Sequence, residues 1–231
     1  MGRVTVTLIG LGALVLASCG SAGIETSATA RDATLGVRAD GCGPRLGFGT
    51  ATLIDDELAL TAAHVVAGAT DVTVIGPDGV DHRGDVVWFD PEQDVAAVRV
   101  EAGIAAPVQL LDEAVAAGDT GTVGLERDAD VRADRTLVAQ DVEVVRRVNV
   151  ATTDIYLDAE VIRPGFEISA TIEPGDSGSL VLIDGAAAGV VWARSTQRTG
   201  RAWVVEIPPV LRNPATRGAL TEPVNVGPCT R

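Results

Sequence analysis

The sequence predicts an all-β fold, a barrel or a sandwich, and three observations carry this prediction. Many short apolar runs alternate with turn signals at a regular spacing along the chain. Valine and alanine are abundant while aromatic residues make up only 3% of the chain. The core is therefore filled by small aliphatic side chains, of which the β-branched ones favour strands. The alternation of strands and helices that an α/β fold requires is missing from the sequence.

The predicted strands form two sets, separated by a short helical or linker segment at 113–117 and a turn signal at 118–119. Further turns are marked at 77–79 and 90–91, and an Asp-Gly pair at 184–185 predicts a hairpin. The strands of the first set are predicted at 47–53, 58–60, 72–75, 85–89 and 95–100. Those of the second set are predicted at 120–125, 135–148, 155–157, 180–183, 187–192 and 202–207.

The first residues are typical of a bacterial lipoprotein signal peptide, which we predict at 1–18. A positive start precedes an apolar run that is too short to span a membrane, and a Leu-Ala-Ser-Cys tetrad ends at Cys19. Lipid on Cys19 would anchor the protein to the outer face of the cytoplasmic membrane. The alternative is an ordinary signal peptide that is cleaved nearby. Residues 19–33 are predicted as a flexible tether, and 34–231 as one folded domain.

The chain has three cysteines, an odd number for an exported protein. If Cys19 carries lipid, Cys42 and Cys229 are left as a pair in a compartment that permits disulfides. A bond between them would tie the start of the domain to its last residues. The alternative is two free thiols that act as a redox switch.

The formal net charge is −14, and all 18 basic residues are arginine. This charge argues against nucleic acid as a partner, because phosphates need basic patches, and against attraction to anionic lipid. The sequence shows neither a cluster with metal-ligand spacing nor a phosphate-binding glycine loop, so it predicts no cofactor and no metal. The second histidine, His82, lies in a polar stretch and is predicted to be an exposed strand or hairpin residue.

Three residues in separate motifs have the chemistry of a hydrolytic site. Ser177 lies in Gly-Asp-Ser-Gly-Ser, His64 ends Thr-Ala-Ala-His, and Asp94 directly precedes an apolar strand-like run. A serine hydroxyl needs an adjacent base, which His64 would provide, and Asp94 would fix the tautomer of the imidazole. The glycines let the backbone bend, so that the N–H groups of Gly175 and Ser177 would form an oxyanion hole.

On these motifs and their order, the chain resembles the trypsin/chymotrypsin superfamily of serine proteases, and within it the bacterial HtrA-like and MarP-like branch. The resemblance covers essentially 34–209. It implies two antiparallel six-stranded β-barrels, the first at about 34–112 and the second at about 118–212, with the active site between them. It also implies cleavage of peptide bonds through an acyl-enzyme. An α/β-hydrolase would have the order Ser, Asp, His.

The resemblance places the primary specificity pocket between 170–172 and 190–193, which includes Thr171 and Trp192. No acid stands at Thr171, where a trypsin-like enzyme keeps a carboxylate, so we expect cleavage after small or apolar residues. Arg194 either narrows this pocket or points to solvent. The start sequence of trypsin zymogen activation is missing, and Ser179 replaces the second glycine that commonly follows the nucleophile.

These observations leave three functions open. The first is a serine endopeptidase of the cell envelope that acts on protein or peptide substrates. The second is a catalytically latent binding module with a protease fold at the membrane surface, although such modules often lose a triad member. The third is another acyl transfer, such as ester hydrolysis, at the same site. A monomer is favoured over the trimer common among HtrA-like proteins, because the chain lacks an aromatic-rich arm.

Overall fold

The computed structural model describes residues 29–43, 46–128 and 135–230. Its strands form two closed barrels of six antiparallel strands each, which confirms the predicted fold class. None of the helices in these three ranges is long and apolar enough to cross a membrane. The predicted signal peptide and Cys19 lie outside the described residues.

The first barrel closes because its first strand pairs with two others, β2 and β4. Its strands follow in the order β1-β2-β3-β6-β5-β4 around the barrel, and a one-turn helix, α1 (Ala63–Val66), follows β3. The strands of this barrel are β1 (Thr34–Asp40), β2 (Gly47–Asp55), β3 (Leu58–Thr61), β4 (Asp71–Ile75), β5 (Asp81–Asp90) and β6 (Val95–Arg99).

The second barrel has the same plan, with the strand order β10-β11-β12-β9-β8-β7. Its strands are β7 (Thr120–Asp128), β8 (Arg135–Thr153), β9 (Glu160–Ser169), β10 (Leu180–Ile183), β11 (Ala186–Arg194) and β12 (Arg201–Glu206). Two short helices, α2 (Pro209–Arg212) and α3 (Pro214–Ala219), follow the barrel.

The sequence prediction was wrong at the hairpin between β8 and β9. Residues 155–157, predicted as a strand, form the turn of this hairpin, and β9 follows them. The pair Pro164 and Gly165 inside β9 hides its pattern, because both residues are unusual in strand interiors. Gly165 is required there, since a Cβ at this position would overlap the backbone oxygen of Val204 in β12. Residues 113–117 form a linker without a helix.

Three apolar clusters fill the molecule. One occupies the first barrel and includes Leu35, Leu53 and Val98, and a second occupies the other barrel around Phe166 and Ile168. The third cluster contains residues of both barrels and of α2. Its buried members include Leu58, Leu60, Leu180, Val190, Val205 and Leu211. Burial of this shared layer stabilises the two barrels against each other, at about 25 cal/mol per Å² of apolar surface.

Residues at both ends of the described chain pack on the barrels. In the segment 29–33, which the sequence predicted as tether, Ala30 and Ala33 are almost completely buried. At the other end, Cys229 forms the predicted disulfide with Cys42, with their Cα atoms 5.6 Å apart. The hydroxyl of Tyr156, in the β8–β9 turn, donates to the backbone oxygen of Val226, so the second barrel also holds the C-terminal segment.

Candidate active site

His64 and Asp94 face each other in the first barrel. His64 lies on α1, directly after β3, and Asp94 lies immediately before β6. The Nδ1 atom of His64 is 2.8 Å from Oδ2 of Asp94 and 3.0 Å from Oδ1. The backbone N–H of His64 also donates to Oδ1, at 2.9 Å. The carboxylate therefore holds both the ring and the backbone of the histidine, and the other ring nitrogen, Nε2, remains available as a base.

The backbone at Asp94 has a left-handed conformation, with φ of 59°. Aspartate adopts this region more readily than most residues, because its short polar side chain can bond locally. The preceding turn is closed by Asp90, whose carboxylate accepts the N–H groups of Glu92 and Gln93 at 3.0 and 2.9 Å. This turn directs the Asp94 side chain into the protein, where it is only 4% exposed.

The pKa of His64 lies above its ordinary value of 6.5. Burial of the ring lowers this pKa, but the negative charge of Asp94 and its hydrogen bond raise it by more, and the charge of Arg163 makes a smaller lowering contribution. A base must be neutral to accept a proton. His64 therefore becomes able to accept a proton only at a higher pH than a free histidine does.

Ser177 lies in the turn between β9 and β10, which reaches across to the first barrel. Thr50 of β2 binds this turn twice: its N–H donates to Ser177 O at 2.8 Å, and its hydroxyl donates to Gly175 O at 2.9 Å. Gly178, with φ of 95°, packs so closely on β2 and β3 that a Cβ would overlap Thr50 O and Thr61 Oγ1. Since Thr61 lies three residues before His64, these contacts bring the serine turn to the histidine segment.

Some N–H groups of the serine turn donate hydrogen bonds within the protein, and others do not. Those of Asp176, Gly178 and Ser179 donate to backbone oxygens at 2.8 to 3.1 Å. Within the described ranges, the N–H groups of Gly175 and Ser177 donate no hydrogen bond. Gly175 has φ of 102°, and a Cβ on it would meet no atom within 4 Å, so this part of the turn faces open space. The geometry leaves two donors free for an oxygen of a bound molecule.

Ser177 Oγ and the His64 ring form no hydrogen bond with each other in the described part of the chain. Both side chains are half-buried. In hydrolases without substrate this bond is often long and tightens only in the substrate complex. The structure therefore bonds His64 to Asp94, and the contacts of Thr50 and Thr61 hold the serine turn against the segment that carries the histidine.

The predicted specificity residues are dispersed over two segments. Thr171 follows β9 and is exposed, whereas Trp192 and Arg194 lie on β11. Arg194 is exposed, and its guanidinium makes neither a hydrogen bond nor an ion pair with any residue the structure describes. Trp192 is half-buried and is covered by the guanidinium of Arg163, 4.5 Å from the ring centroid. The composition of the pocket remains a prediction.

Sequence reasoning missed two residues at this site, Thr50 and Arg163. Both act across the two barrels, at sequence separations of 125 and 71 residues from their backbone partners, so no local pattern signals them. His82, which the sequence predicts to be exposed, is a half-buried residue of β5 and pairs with Glu101. Among the described residues, no group of three or more His, Cys, Asp and Glu side chains could hold a metal ion.

The model of the trypsin-like peptidase domain family matches residues 49–191 of this chain. The serine protease Rv3671c of Mycobacterium tuberculosis is 31% identical over 184 residues, which cover 78% of this chain and 44% of that protein. This chain thus spans less than half the length of its curated relative. The crystal structure of the active form of the Rv3671c protease matches 99% of this chain and 100% of that one, with 26% identity and a TM-score of 0.78.

The HtrA-type protease AlgW, solved with a tripeptide, is 19% identical, and the match covers 80% of this chain and 59% of AlgW. Its TM-score of 0.63 shows that the two proteins share the fold.

Proposed function

Because the chain belongs to the trypsin-like peptidase family, we propose that it is a serine endopeptidase in which Ser177 is the nucleophile, His64 the base and Asp94 the orienting acid. The single observation that carries this proposal is the pair of free N–H groups on Gly175 and Ser177, on either side of Asp176, whose own N–H is bonded. Two such donors beside a serine and a histidine are what an acyl-transfer site requires.

In the proposed reaction each of these groups has one role. The N–H at Nδ1 of His64 donates a hydrogen bond to Asp94, so Nε2 accepts the proton of Ser177 as Oγ attacks the carbonyl carbon of the peptide bond. The carbonyl oxygen becomes an oxyanion, which the N–H groups of Gly175 and Ser177 bind; one such donor is worth about 3 kcal/mol in the transition state. His64 then gives the proton to the leaving amine, which leaves an acyl-enzyme on Ser177. Water, activated by His64, hydrolyses the ester and restores the site.

The substrates in this proposal are proteins or peptides with a small or apolar residue before the cleaved bond. The absence of an acid at Thr171 supports this preference, because a carboxylate there would be needed to bind Arg or Lys. Peptides that end in Ala, Val, Leu or Arg before a fluorogenic leaving group test it. Fast cleavage after Arg with none after Ala or Val would contradict the proposed preference and leave the peptidase activity intact.

The proposed location is the outer face of the cytoplasmic membrane, with lipid on Cys19. The tetrad that ends at Cys19 supports this anchor, and the net charge of −14 supplies no electrostatic attraction to anionic lipid. Expression of the full chain and of a Cys19→Ser variant in a bacterial host with labelled fatty acid tests it. Label on the parent protein alone is the expected result, and an unlabelled parent protein would refute the anchor.

Labelling with a fluorophosphonate tests the catalytic proposal directly, because this probe reacts with an activated serine. We expect modification of Ser177, located by peptide mapping, and its loss in the Ser177→Ala variant. Ser179→Ala is the matched control: this second serine lies two residues further along and is fully buried, so its loss leaves labelling unchanged. A folded protein that is not labelled would overturn the proposal in favour of a latent binding module.

A further inference from the structure

Arg163 of β9 is a buried cation directly behind the candidate triad. Its side chain is 3% exposed, and Nη1 lies 4.0 Å from Oδ2 of Asp94. The guanidinium stacks on the ring of Trp192 at 4.5 Å. Nε donates to the backbone oxygen of Glu92 at 2.8 Å, and Nη2 donates to that of Thr153 at 3.2 Å. Its position is therefore fixed on three sides, by two backbone oxygens and a tryptophan face.

The charge of Arg163 balances a charge that is otherwise isolated. Asp94 is almost fully buried, and its hydrogen-bond partner His64 is neutral whenever it can act as a base. A buried carboxylate without a compensating charge is costly and favours the protonated acid. Within the described ranges, Arg163 is the only arginine within 4.0 Å of the Asp94 carboxylate. It thus places a fixed positive charge beside the carboxylate that the histidine needs as a partner.

The hydrogen bond to Glu92 gives Arg163 a second effect, on the backbone. Glu92 belongs to the turn that leads into the left-handed residue Asp94, and Arg163 belongs to the other barrel. Two neighbouring hydrogen bonds join the same two segments: Ile155 N donates to Pro91 O at 3.2 Å, and the side chain of Gln93 donates to a backbone oxygen of β9 at 3.5 Å. The β8–β9 hairpin of the second barrel therefore holds the turn that carries the acid of the first barrel.

We infer that Arg163 is a positioning residue of the triad, which balances the buried negative charge of Asp94 and fixes the 91–94 turn against the second barrel. This inference rests on the proposed function, because it assigns Arg163 a role in the same reaction. Arg163 acts through Asp94 and does not reach the reacting atoms. The charged groups that face it are Asp94, Asp90 and Asp154, and those that face His64 are Asp94 and Arg163.

The experiment compares Arg163→Gln with Arg163→Lys and with a matched control, Arg146→Gln. Arg146 is also an arginine of the second barrel that pairs with one buried carboxylate, Glu167, and lies over one tryptophan, Trp203. It contacts neither Asp94 nor His64 in the described structure. The loss of one arginine charge and of one arginine–tryptophan contact in this barrel would thus affect the control as well.

The first readout is the pKa of His64, measured by NMR in a Ser177→Ala background, where no activity is needed. The chain contains only two histidines, so His82 is an internal reference. We expect Arg163→Gln to raise the pKa of His64, because a nearby positive charge is removed. His82 is expected to keep its value, and the Lys and Arg146→Gln variants are expected to match the parent protein at His64.

The second readout is peptide hydrolysis by the same variants with Ser177 intact. We expect kcat to fall about 10- to 100-fold in Arg163→Gln, as for a misplaced catalytic group, with less change in KM. Arg163→Lys keeps the charge but loses the guanidinium fork, so its kcat falls several-fold. Arg146→Gln keeps the parent kcat.

An unchanged His64 pKa together with an unchanged kcat in a folded Arg163→Gln variant would overturn the inference. If that variant does not fold, the Lys variant decides: kcat equal to that of the parent would refute positioning by the fork. Failure of the proposed function is distinguishable, because an unlabelled Ser177 in the parent protein rejects the peptidase and leaves the NMR comparison as a test of Arg163.

Discussion

Replacing Thr50 by valine removes one hydroxyl and keeps the shape of the side chain. In the structure, this hydroxyl donates to Gly175 O at 2.9 Å, while the N–H of the same residue donates to Ser177 O at 2.8 Å. Thr50 therefore holds the two carbonyl groups on one side of the serine turn, and the free N–H groups of Gly175 and Ser177 belong to the same short segment. Thr50→Val releases the Gly175 carbonyl and leaves the Ser177 carbonyl bound.

The expected size of the effect follows from one lost hydrogen bond. A neutral hydrogen bond contributes about 1 kcal/mol net, and an acceptor left unsatisfied raises the loss to about 2 kcal/mol. If this energy is lost from the transition state, where the oxyanion needs both donors, kcat/KM falls by a factor of about 5 to 30. The change appears in kcat more than in KM, because the ground state does not use the donors fully.

Steady-state hydrolysis of a peptide substrate measures this effect, with the concentration of active sites determined by fluorophosphonate titration. Thr52→Val is the matched control. Thr52 lies two residues further along β2 and is equally buried, at 3% exposure, and its hydroxyl donates no hydrogen bond to any residue that the structure describes. An unchanged kcat in Thr50→Val, or an equal fall in Thr52→Val, would refute the reasoning.

Four further predictions concern pH, stability and labelling of the serine. The acid limb of kcat/KM is expected at an apparent pKa above 6.5, since Asp94 raises the pKa of His64; a limb at or below 6.5 in a pH–rate profile would contradict it. The raised pKa of His64 also contributes to the free energy of unfolding. This contribution is fully present below pH 6.5 and is lost as the pH rises through the pKa that His64 has in the folded protein. Replacing Cys42 and Cys229 by serine removes a bond across 187 residues and lowers the free energy of unfolding by about 5 kcal/mol in the chain-entropy model; a loss below about 1 kcal/mol in urea unfolding would reject that model here. Gly178→Ala forces a Cβ into Thr50 O and is expected to cost more than about 2 kcal/mol and abolish labelling, whereas Gly79→Ala, at a similar positive φ but in open space, keeps full labelling.

The sequence was sufficient to predict a turn or a strand wherever a short motif coincides with a local requirement of the backbone. The glycines around Ser177 mark a turn that only glycine can form at Gly175 and Gly178, where φ is positive. The apolar run after Asp94 marks β6, which fixes where the acid enters the barrel. Such signals are carried by neighbouring residues, so they can be read before the fold is known.

The contacts that the sequence did not predict join distant parts of the chain. Thr50 is an ordinary strand residue until the serine turn, 125 residues later, packs on it. Arg163 lies in a strand whose pattern is interrupted by Pro164 and Gly165, so both the strand and its buried cation escaped prediction. Gly165 is required because the backbones of β9 and β12 approach each other closely there, and this approach is visible only in the closed barrel.

The disulfide between Cys42 and Cys229 turns almost the whole described chain into a covalent ring. The second barrel, the serine turn and strands β2 to β6 of the first barrel lie inside this ring, and β1 lies just before it. A single proteolytic cut in a loop within the ring opens the ring without releasing a fragment. The disulfide keeps the two pieces of the cut molecule linked, so that they stay at a high effective concentration relative to each other. The two pieces separate under denaturing conditions only after the disulfide is reduced, so cut and intact protein are told apart on a denaturing gel by adding a thiol.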